Sequence, residues 1–373
     1  MYDVAIIGLG PAGSTLARLL NARFRVAAID RKLPAESTAG KMKDCCAATA
    51  PGFTKPCGGL LAPDAQKALA RFDLTLPKDI LVDPQIFSVR TIDLDTSDTR
   101  YYQRFYVNID RHRFDLWLED LIPPGVDRFT GAECRSIEKT TGGYLIRFQQ
   151  NGMEQSIEAR YLVGADGANS IVRRYAHPGK RLRSYVSIQQ WFRESHATPF
   201  YSCVFDSENT DCYSWSISKD GYFIFGGAYP TGKGLQKGSG RSCRERFENQ
   251  KEKLSKFGFQ FGEPLKTEGC MVLRPTSLSS FCCGRDGIFL IGEAAGMISP
   301  SSLEGISSGI LSACALAEVL NDNRPHPNAA YFRATRKLRW KLAGKLLKCP
   351  FMYQPFLRRL VMKSGLNSIH MES

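Results

Sequence analysis

The sequence predicts an α/β fold (α+β overall) in which a discontinuous Rossmann-like domain is interrupted by an inserted β-sheet domain and followed by a helical C-terminal tail. A glycine-rich turn lies between an apolar run and a helical pattern near the N-terminus. Apolar runs of the same kind return at residues 161–165 and 287–292, and the chain between them alternates like antiparallel strands. From about residue 325 the pattern is helical and basic.

The N-terminal pattern predicts a strand, a tight turn, a helix and a second strand. Residues 4–7 form a short apolar run typical of a parallel strand covered on both faces, and residues 14–22 have helical periodicity. A second apolar run at residues 25–29 ends at Asp30. We therefore expect a βαβ unit with a right-handed crossover.

The remaining patterns extend this assignment along the chain. We expect helices at residues 63–72, 111–121 and 305–320, and strands at residues 87–94, 101–108, 143–152, 161–165, 213–217, 222–229 and 287–292. Three domains are predicted. The discontinuous cofactor-binding domain covers residues 1–80, 106–175 and 285–324, and the β-rich substrate domain covers residues 81–105 and 176–284. The basic helical C-terminal segment covers residues 325–373.

Composition restricts the class of protein. No apolar run approaches the roughly 18–20 residues that cross a bilayer, and Asp3 near the start is unlike a signal peptide, so we expect a cytoplasmic location. The 12 cysteines occur singly or as the adjacent pairs Cys45–Cys46 and Cys282–Cys283, without a C-x-x-C motif. We expect reduced thiols and no metal site.

The first motif is Gly8-x-Gly10-x-x-Gly13. Its glycines permit a tight turn, close backbone approach to a pyrophosphate and close packing of the helix on the strand. The helix N-terminus presents free N–H groups to the phosphates, and Asp30 lies where an acid accepts ribose hydroxyls. The motif follows a strand and opens a helix, which makes chance a poor explanation.

Two further motifs follow predicted strands. Asp166-Gly167 begins a polar turn, and Gly292-Glu293 begins a second glycine-rich turn into a helix. A carboxylate directly after a strand can bind a ribityl hydroxyl, and a glycine-rich turn can direct N–H groups at a flavin edge or a phosphate. Either segment alone is compatible with an ordinary turn, but the three motifs in this order indicate a flavin site.

Together the motifs resemble flavoproteins of the p-hydroxybenzoate hydroxylase fold, which include aromatic hydroxylases, flavin-dependent halogenases and geranylgeranyl reductases. The resemblance implies FAD as the cofactor. It maps an R-x-x-F-D helix onto Arg111 and a G-D motif onto Gly292 and Glu293, where Glu replaces the usual Asp. The residues assigned to FAD are Gly8, Gly10, Pro11, Ala12, Gly13, Asp30, Arg31, Cys57, Gly58, Gly59, Arg111, Asp166, Gly167, Gly292, Glu293, Gly296, Pro300, Gly305 and Ile306.

Within that group the chain resembles the geranylgeranyl reductases in particular. Residues 55–60 are similar to their K-x-C-G-G segment near the flavin ring, and Tyr213-x-Trp215 is similar to a Y-x-W substrate-pocket motif. The resemblance implies that Cys57, Tyr213 and Trp215 are the catalytic candidates. Cys57 is interpreted as a proton donor, a redox-sensitive thiol, a thiol that forms a transient adduct, or a small residue packed under the flavin.

The tail has ten basic residues and no acidic one between residues 331 and 363. Tyr331, Leu338, Leu342 and Leu346 are close to helical spacing, which is typical of an amphipathic surface helix. Such a segment can bind anionic lipid at the inner face of the membrane, or it can pack its apolar side on the protein's own body. No nucleic-acid motif is present, so we expect no nucleic-acid partner.

Three functions follow from these patterns. The leading hypothesis is an FAD-dependent reductase that saturates carbon–carbon double bonds of a hydrophobic, isoprenoid-like substrate. The alternative is a flavin-dependent monooxygenase acting on an aromatic small molecule or a protein side chain. A flavin-bound assembly protein without turnover is the third. No second dinucleotide motif is evident, so the electron donor is expected to be external: NAD(P)H, reduced flavin or ferredoxin.

Overall fold

The computed structural model describes residues 1–33, 55–193, 200–231 and 240–371, and the Cys45–Cys46 pair lies outside these ranges. In the described ranges the helices are α1 (Pro11–Leu19), α2 (Pro63–Ala70), α3 (Arg111–Asp120), α4 (Ile171–Ala176), α5 (Cys243–Leu254), α6 (Ile306–Asn321), α7 (Pro327–Ala334), α8 (Arg336–Gly344), α9 (Cys349–Tyr353) and α10 (Pro355–Ser364). The strands are β1 (Tyr2–Ile7), β2 (Val26–Asp30), β3 (Leu60–Leu61), β4 (Ile86–Asp93), β5 (Asp98–Asn108), β6 (Asp127–Thr130), β7 (Ala132–Lys139), β8 (Tyr144–Gln150), β9 (Met153–Gly164), β10 (Ser184–Arg193), β11 (Phe200–Phe205), β12 (Ser214–Lys219), β13 (Tyr222–Pro230), β14 (Lys266–Leu273), β15 (Ile288–Leu290) and β16 (Ser368–Ile369).

The first sheet is the predicted nucleotide-binding sheet. Its strand order is β6-β2-β1-β9-β8-β7, and β15 pairs with the end of β9. Strands β6, β2, β1, β9 and β15 are mutually parallel where they pair, whereas β7, β8 and β9 form an antiparallel meander. Residues 4–7 of β1 and all of β2 are buried and almost all of them are apolar, as expected of parallel strands covered on both faces.

The second sheet has the order β14-β10-β13-β12-β11-β4-β5-β16, with β3 also paired to β5. Its pairings are antiparallel except for β4 with β11. Strands β4 and β5 come from one part of the sequence and β10 to β14 from another, so this sheet is assembled from separate insertions between strands of the first. The mixed α/β fold class is therefore confirmed, while the domain boundaries stay a prediction.

The helices of the first sheet pack through small residues. Ala12 in α1 lies against Gly309 in α6, where a Cβ added to the glycine would be 3.5 Å from the Cβ of Ala12. Asp110 caps the N-terminus of helix α3, and its carboxylate accepts hydrogen bonds from the backbone N–H groups of His112 and Arg113 at 2.8 and 3.0 Å. A cap of this kind stabilises a helix by about 1 kcal/mol, and it fixes the position of Arg111 in the first turn.

The C-terminal segment is mainly helical, as predicted, and its apolar spacing follows the second of the two alternatives, packing on the protein's own body. It is broken into four short α-helices, and Tyr331 and Leu342 are buried in the core of the first sheet. The apolar spacing seen in the sequence therefore faces the protein's own body, because Tyr331 packs edge-on against Phe289 and donates a hydrogen bond to the carbonyl of Leu290 at 2.9 Å. Among the described residues, no helix is long and apolar enough to span a membrane.

Two contacts join the end of this segment to the second sheet. Strand β16 pairs with the free edge of β5. The tail, which was predicted to be helical, therefore also contains a short strand. In α10, the buried guanidinium of Arg358 contacts both carboxylate oxygens of Asp93 at 2.8 Å and one oxygen of Asp95 at 2.5 Å. Asp93 is 0% exposed, so Arg358 is the counter-charge that makes its burial tolerable.

Replacing Arg358 with Ala should lower the free energy of unfolding by about 3–5 kcal/mol, because the buried charge of Asp93 loses its partner. The matched control is Arg359→Ala, which removes the neighbouring exposed guanidinium and should change stability by less than about 0.5 kcal/mol. Urea titration of both variants measures the difference. Equal stabilities would show that the pair does not hold the tail to the sheet.

Candidate active site

A cavity of about 420 Å³ lies between the carboxyl ends of the parallel strands and one face of the second sheet. Most of the residues assigned to the site from sequence line it. These are Gly8, Gly10, Pro11, Ala12, Asp30, Arg31, Cys57, Gly58, Gly59, Arg111, Asp166, Gly167, Tyr213, Trp215, Gly292, Glu293, Gly305 and Ile306. The fold thus brings together segments that are up to about 300 residues apart in the sequence.

Three assigned residues lie outside the lining. A Cβ on Gly13 would overlap the carbonyl oxygen of Gly8, so Gly13 permits close packing of α1. Gly296 has φ +72°, and a Cβ there would overlap the carbonyl oxygen of Ser280. The carbonyl of Pro300 accepts a hydrogen bond from Nε of Arg274 at 3.0 Å. These contacts account for the three residues structurally, and their contact with FAD stays a prediction.

One end of the cavity has the open backbone that the predicted diphosphate turn requires. A Cβ added to Gly10 would meet nothing within 4 Å, so its backbone faces open space at the start of α1. The free N–H groups and the dipole of the helix N-terminus favour an anion there. Asp30 accepts hydrogen bonds from the backbone N–H groups of Leu9 and Lys32, the second at 2.7 Å, which fixes its carboxylate at the cavity edge.

A buried ion pair that the sequence analysis missed lies beneath this end. Lys32 lines the cavity, pairs with Glu119 and donates to the carbonyl of Leu9 at 2.8 Å. Burial raises the pKa of Glu119 to about 7, although Lys32 acts in the opposite direction. Burial alone would lower the pKa of Lys32, but the nearby carboxylates more than offset this and raise it. The lysine is therefore a fixed positive charge beside the diphosphate end.

Asp166 lines the cavity, and one of its two carboxylate oxygens is buried without a partner in the part of the chain that the structure describes. Its Oδ2 accepts from the backbone N–H of Ile171 at 2.7 Å, while its buried Oδ1 has no partner among the described residues. Burial raises the pKa of this carboxyl group. Because buried acceptors are normally satisfied, the free oxygen fits a hydroxyl donor supplied by a bound cofactor.

Glu293 has a structural reason for being longer than the usual Asp. One carboxylate oxygen pairs with Lys55, and the other accepts from the backbone N–H of Leu273 at 2.9 Å. Burial lowers the pKa of Lys55, but Glu293 more than offsets it, and the net shift is upward. The pair joins the turn after β15 to the Lys55–Gly59 loop, so the two motifs that flank the cavity are held together.

The thiol of Cys57 lies within this loop. Its Sγ accepts a hydrogen bond from the backbone N–H of Gly59 at 3.4 Å, and the guanidinium of Arg111 lies beside it. Burial alone would lower the pKa of Arg111. Asp115, which lies 2.9 Å away, and the thiol more than offset that effect, so the pKa of Arg111 is raised. A cation beside the sulfur stabilises negative charge that develops there.

Lys219, a second residue missed from sequence, supports the loop from behind. Its buried Nζ donates to the carbonyls of Gly59 at 3.3 Å and Ile109 at 2.7 Å. A Cβ on Gly58 would lie 2.7 Å from Cδ1 of Ile217, so the loop rests directly on β12. The alternation of side chains along β12 could have identified Lys219 from the sequence. Every second residue from Tyr213 faces the cavity side of the sheet, and Lys219 is one of them.

The other end of the cavity is aromatic. Tyr213 and Trp215 lie with ring centroids 5.8 Å apart, and Tyr106 and Tyr201 meet edge-to-face at 5.9 Å. The hydroxyl of Tyr213 donates to the carbonyl of Ser302 at 2.6 Å, and burial raises its pKa well above the ordinary value. Tyr213 therefore keeps its proton and forms part of an apolar wall with Trp215.

Tyr106 carries the polar group of that wall. Its hydroxyl donates to Oε1 of Glu304 at 2.8 Å, and burial followed by the charge of Glu304 raises its pKa. Tyr106, Tyr201 and Glu304 were not identified from sequence, because tyrosines in strands are usually core residues and no local motif marks them. The arrangement can hold a flat or extended apolar molecule beside the thiol loop.

Comparison with known proteins gives one family match and several relatives. The model of the FAD binding domain matches residues 116–233. Protein CbrA of Escherichia coli O9:H4 (strain HS) is 54% identical over 368 residues, which cover 99% of this chain and 94% of the relative.

Two solved structures have the same fold. A geranylgeranyl bacteriochlorophyll reductase-like protein of Thermoplasma acidophilum is 18% identical with a TM-score of 0.74, covering 96% of this chain and 90% of that one. PqsL of Pseudomonas aeruginosa, described as a probable FAD-dependent monooxygenase, is 15% identical with a TM-score of 0.66, covering 98% and 99%.

The FAD binding domain match confirms the predicted cofactor, and the cavity fits it. The open backbone at Gly10, the fixed carboxylate of Asp30 and the free oxygen of Asp166 would bind diphosphate, ribose and a hydroxyl of FAD respectively. The predicted class of enzyme, an oxidoreductase, is confirmed together with the cofactor, because a bound flavin supplies redox chemistry.

Gly10→Val should lower FAD retention at least about tenfold without unfolding the chain, because the side chain fills only the space beside the diphosphate. Flavin absorbance per mole of purified protein measures this. Gly13→Val should instead lower the melting temperature, because its side chain overlaps the backbone of Gly8. Gly125→Val is the control, since its site is open and exposed, and a colourless Gly125→Val protein would contradict the assignment.

Proposed function

The chain belongs to the CbrA family, and we propose that it reduces carbon–carbon double bonds of a hydrophobic, isoprenoid-like substrate with electrons from FAD. The observation that carries this proposal is that one cavity joins the open glycine turn to an aromatic wall through a loop that bears a thiol. The fold shared with the geranylgeranyl bacteriochlorophyll reductase-like protein supports the same class of reaction.

Bound FAD in its reduced form supplies a hydride equivalent, and the chain supplies binding, orientation and a proton. The glycine turn and Asp30 would hold the nucleotide half of FAD, while the Lys55–Glu293 pair holds the thiol loop against the turn after β15. Tyr213 and Trp215 would contact the apolar substrate and exclude water from it.

Saturation of a double bond requires a hydride on one carbon and a proton on the other. We assign the proton to Sγ of Cys57, which lines the cavity and has Arg111 beside it to stabilise the resulting thiolate. The thiolate regains its proton from solvent after product leaves. An external donor, NAD(P)H, reduced flavin or ferredoxin, restores the two electrons.

A monooxygenase is the alternative function. The fold shared with PqsL supports it as well as the fold shared with the reductase-like protein supports a reductase. The four rings of the wall suit an aromatic small molecule as well as an isoprenoid. Oxygen would then be the second substrate. Halogenation has less support. Flavin-dependent halogenases carry a W-x-W-x-I-P motif, and the corresponding residues 213–218 of this chain match only its second Trp and its Ile.

Anaerobic reduction of the purified protein, followed by mixing with air-saturated buffer in a stopped-flow spectrometer, separates the two functions. A double-bond reductase should return directly and slowly from reduced to oxidised flavin. A short-lived absorbance band between those two spectra would instead establish oxygen activation and overturn the proposal. Reoxidation by unsaturated isoprenoid lipids under nitrogen is the positive result expected next.

Cys57→Ser should keep FAD and slow the reduction of an accepted substrate by about 10²- to 10⁴-fold, because a hydroxyl is a much weaker acid than a thiol. The rate of anaerobic flavin reoxidation by that substrate measures the effect. Cys243→Ser makes the same exchange in α5, outside the cavity lining, and should leave the rate unchanged. An unaltered rate in Cys57→Ser would return this residue to a packing role.

A further inference from the structure

The C-terminal segment leaves a group of large apolar side chains in solvent. Leu347 is 76% exposed, Phe356 72% and Trp340 62%, and Phe351 and Leu360 are also exposed. These are different residues from the apolar set predicted from sequence, which faces the core. Isolated exposed leucines are ordinary, but several large apolar side chains on neighbouring helices mark an interaction surface.

Helical spacing places these side chains on outward faces. Trp340, Leu347 and Phe351 follow one another at seven and four residues along α8, the turn at Lys345–Lys348 and α9. Phe356 and Leu360 are four residues apart on α10. The opposite side of α10 is fixed to the protein by Arg358 and Met362, both buried, so Phe356 and Leu360 cannot turn inward. We call these five apolar residues, with their neighbouring cations, the docking face.

The cations of the segment divide into two groups. Arg358 pairs with Asp93 and Asp95, Lys341 and Lys345 with Asp64, and Arg339 lies over the ring of Phe332. The other six are exposed and have no ion-pair partner among the described residues: Arg333, Arg336, Lys337, Lys348, Arg359 and Lys363. The docking face therefore combines exposed aromatic side chains with cations that form no ion pair within the described part of the chain.

We propose that the docking face binds the surface of an anionic lipid bilayer. Aromatic and leucine side chains that enter the headgroup region, with unpaired cations around them, are what such a surface recognises. A second copy of the chain is a poorer occupant, because two such faces would bring like charges together. A nucleic acid would use the cations but not Leu347 and Phe356.

The inner side of the same segment contacts the cavity wall. The hydroxyl of Tyr353 donates to the carbonyl of Ser301 at 2.6 Å, next to Ser302 and Leu303, which line the cavity. Sγ of Cys349 lies 3.6 Å from the carbonyl of Pro300. Bilayer docking would thus hold the aromatic end of the cavity near the lipid. This consequence rests on the proposed function, whereas the docking itself does not.

Vesicle flotation of the purified protein tests the proposal without any turnover. Vesicles of phosphatidylcholine alone should bind little, and vesicles with added phosphatidylglycerol should bind strongly and lose this binding in high salt. The variant Trp340→Ser/Leu347→Ser/Phe356→Ser should bind at least about tenfold more weakly. Flavin absorbance confirms that the variant is folded.

Two matched variants make the test specific. Met153→Ser removes another exposed apolar side chain, in the first sheet, and should not change vesicle binding. Lys348→Gln/Arg359→Gln/Lys363→Gln should weaken binding to anionic vesicles, whereas Lys180→Gln, an exposed lysine elsewhere, should not. Emission of Trp340 should shift to the blue on binding, and Trp340→Phe should abolish that shift.

The proposal is overturned if wild-type protein fails to float with anionic vesicles, or if the triple serine variant binds them as tightly as wild type. If the proposal holds, the mass of wild-type protein should not rise with concentration in the absence of lipid. Such a rise, absent from the serine variant, would show that the docking face binds a second copy of the chain. Salt-sensitive binding to nucleic acid but not to vesicles would assign it to a polyanion. Loss of vesicle binding with unchanged flavin reactivity leaves the proposed function standing.

Discussion

The structure depends on the close backbone approach at the turn after β1. Gly13 lies so near the carbonyl of Gly8 that no side chain fits between them, and this brings the N-terminus of α1 to the ends of the parallel strands. The N–H of Gly8 donates to the carbonyl of Ile29 at 2.8 Å, and that of Ala165 to Ile7 at 2.8 Å. The ends of β1, β2 and β9 are thereby joined in one place, where the three motifs meet.

Much of the first sheet could be predicted from the sequence because its signals are local. An apolar run, a glycine turn and an amphipathic helix each specify their own geometry, and the parallel arrangement follows from the crossover rule. The predicted strand at residues 287–292 is found as Ile288–Leu290, and the helix at residues 305–320 as Ile306–Asn321. The cavity end formed by these elements was predictable for the same reason.

The aromatic end and the tail were less predictable, because tertiary packing decides them. Tyr106 and Glu304 are almost 200 residues apart in sequence, and only the assembly of β5 against the loop after β15 brings them into contact. Two apolar stripes run along the tail, and the sequence cannot say which one the core selects. The stripe through Tyr331 is buried because it meets Phe289, which leaves the one through Trp340 outside.

The attachment of α10 and β16 to the second sheet also has a consequence for biosynthesis. Arg358 and Asp93 are 265 residues apart, and β16 pairs with a strand made equally early. During synthesis from the N-terminus, the strands of this sheet emerge long before the helix and strand that complete it. The turn at Ser301 receives its hydrogen bond from Tyr353 only after the chain has been made as far as that tyrosine. The aromatic end of the cavity is therefore completed late in synthesis, well after strands β4 and β5 have emerged.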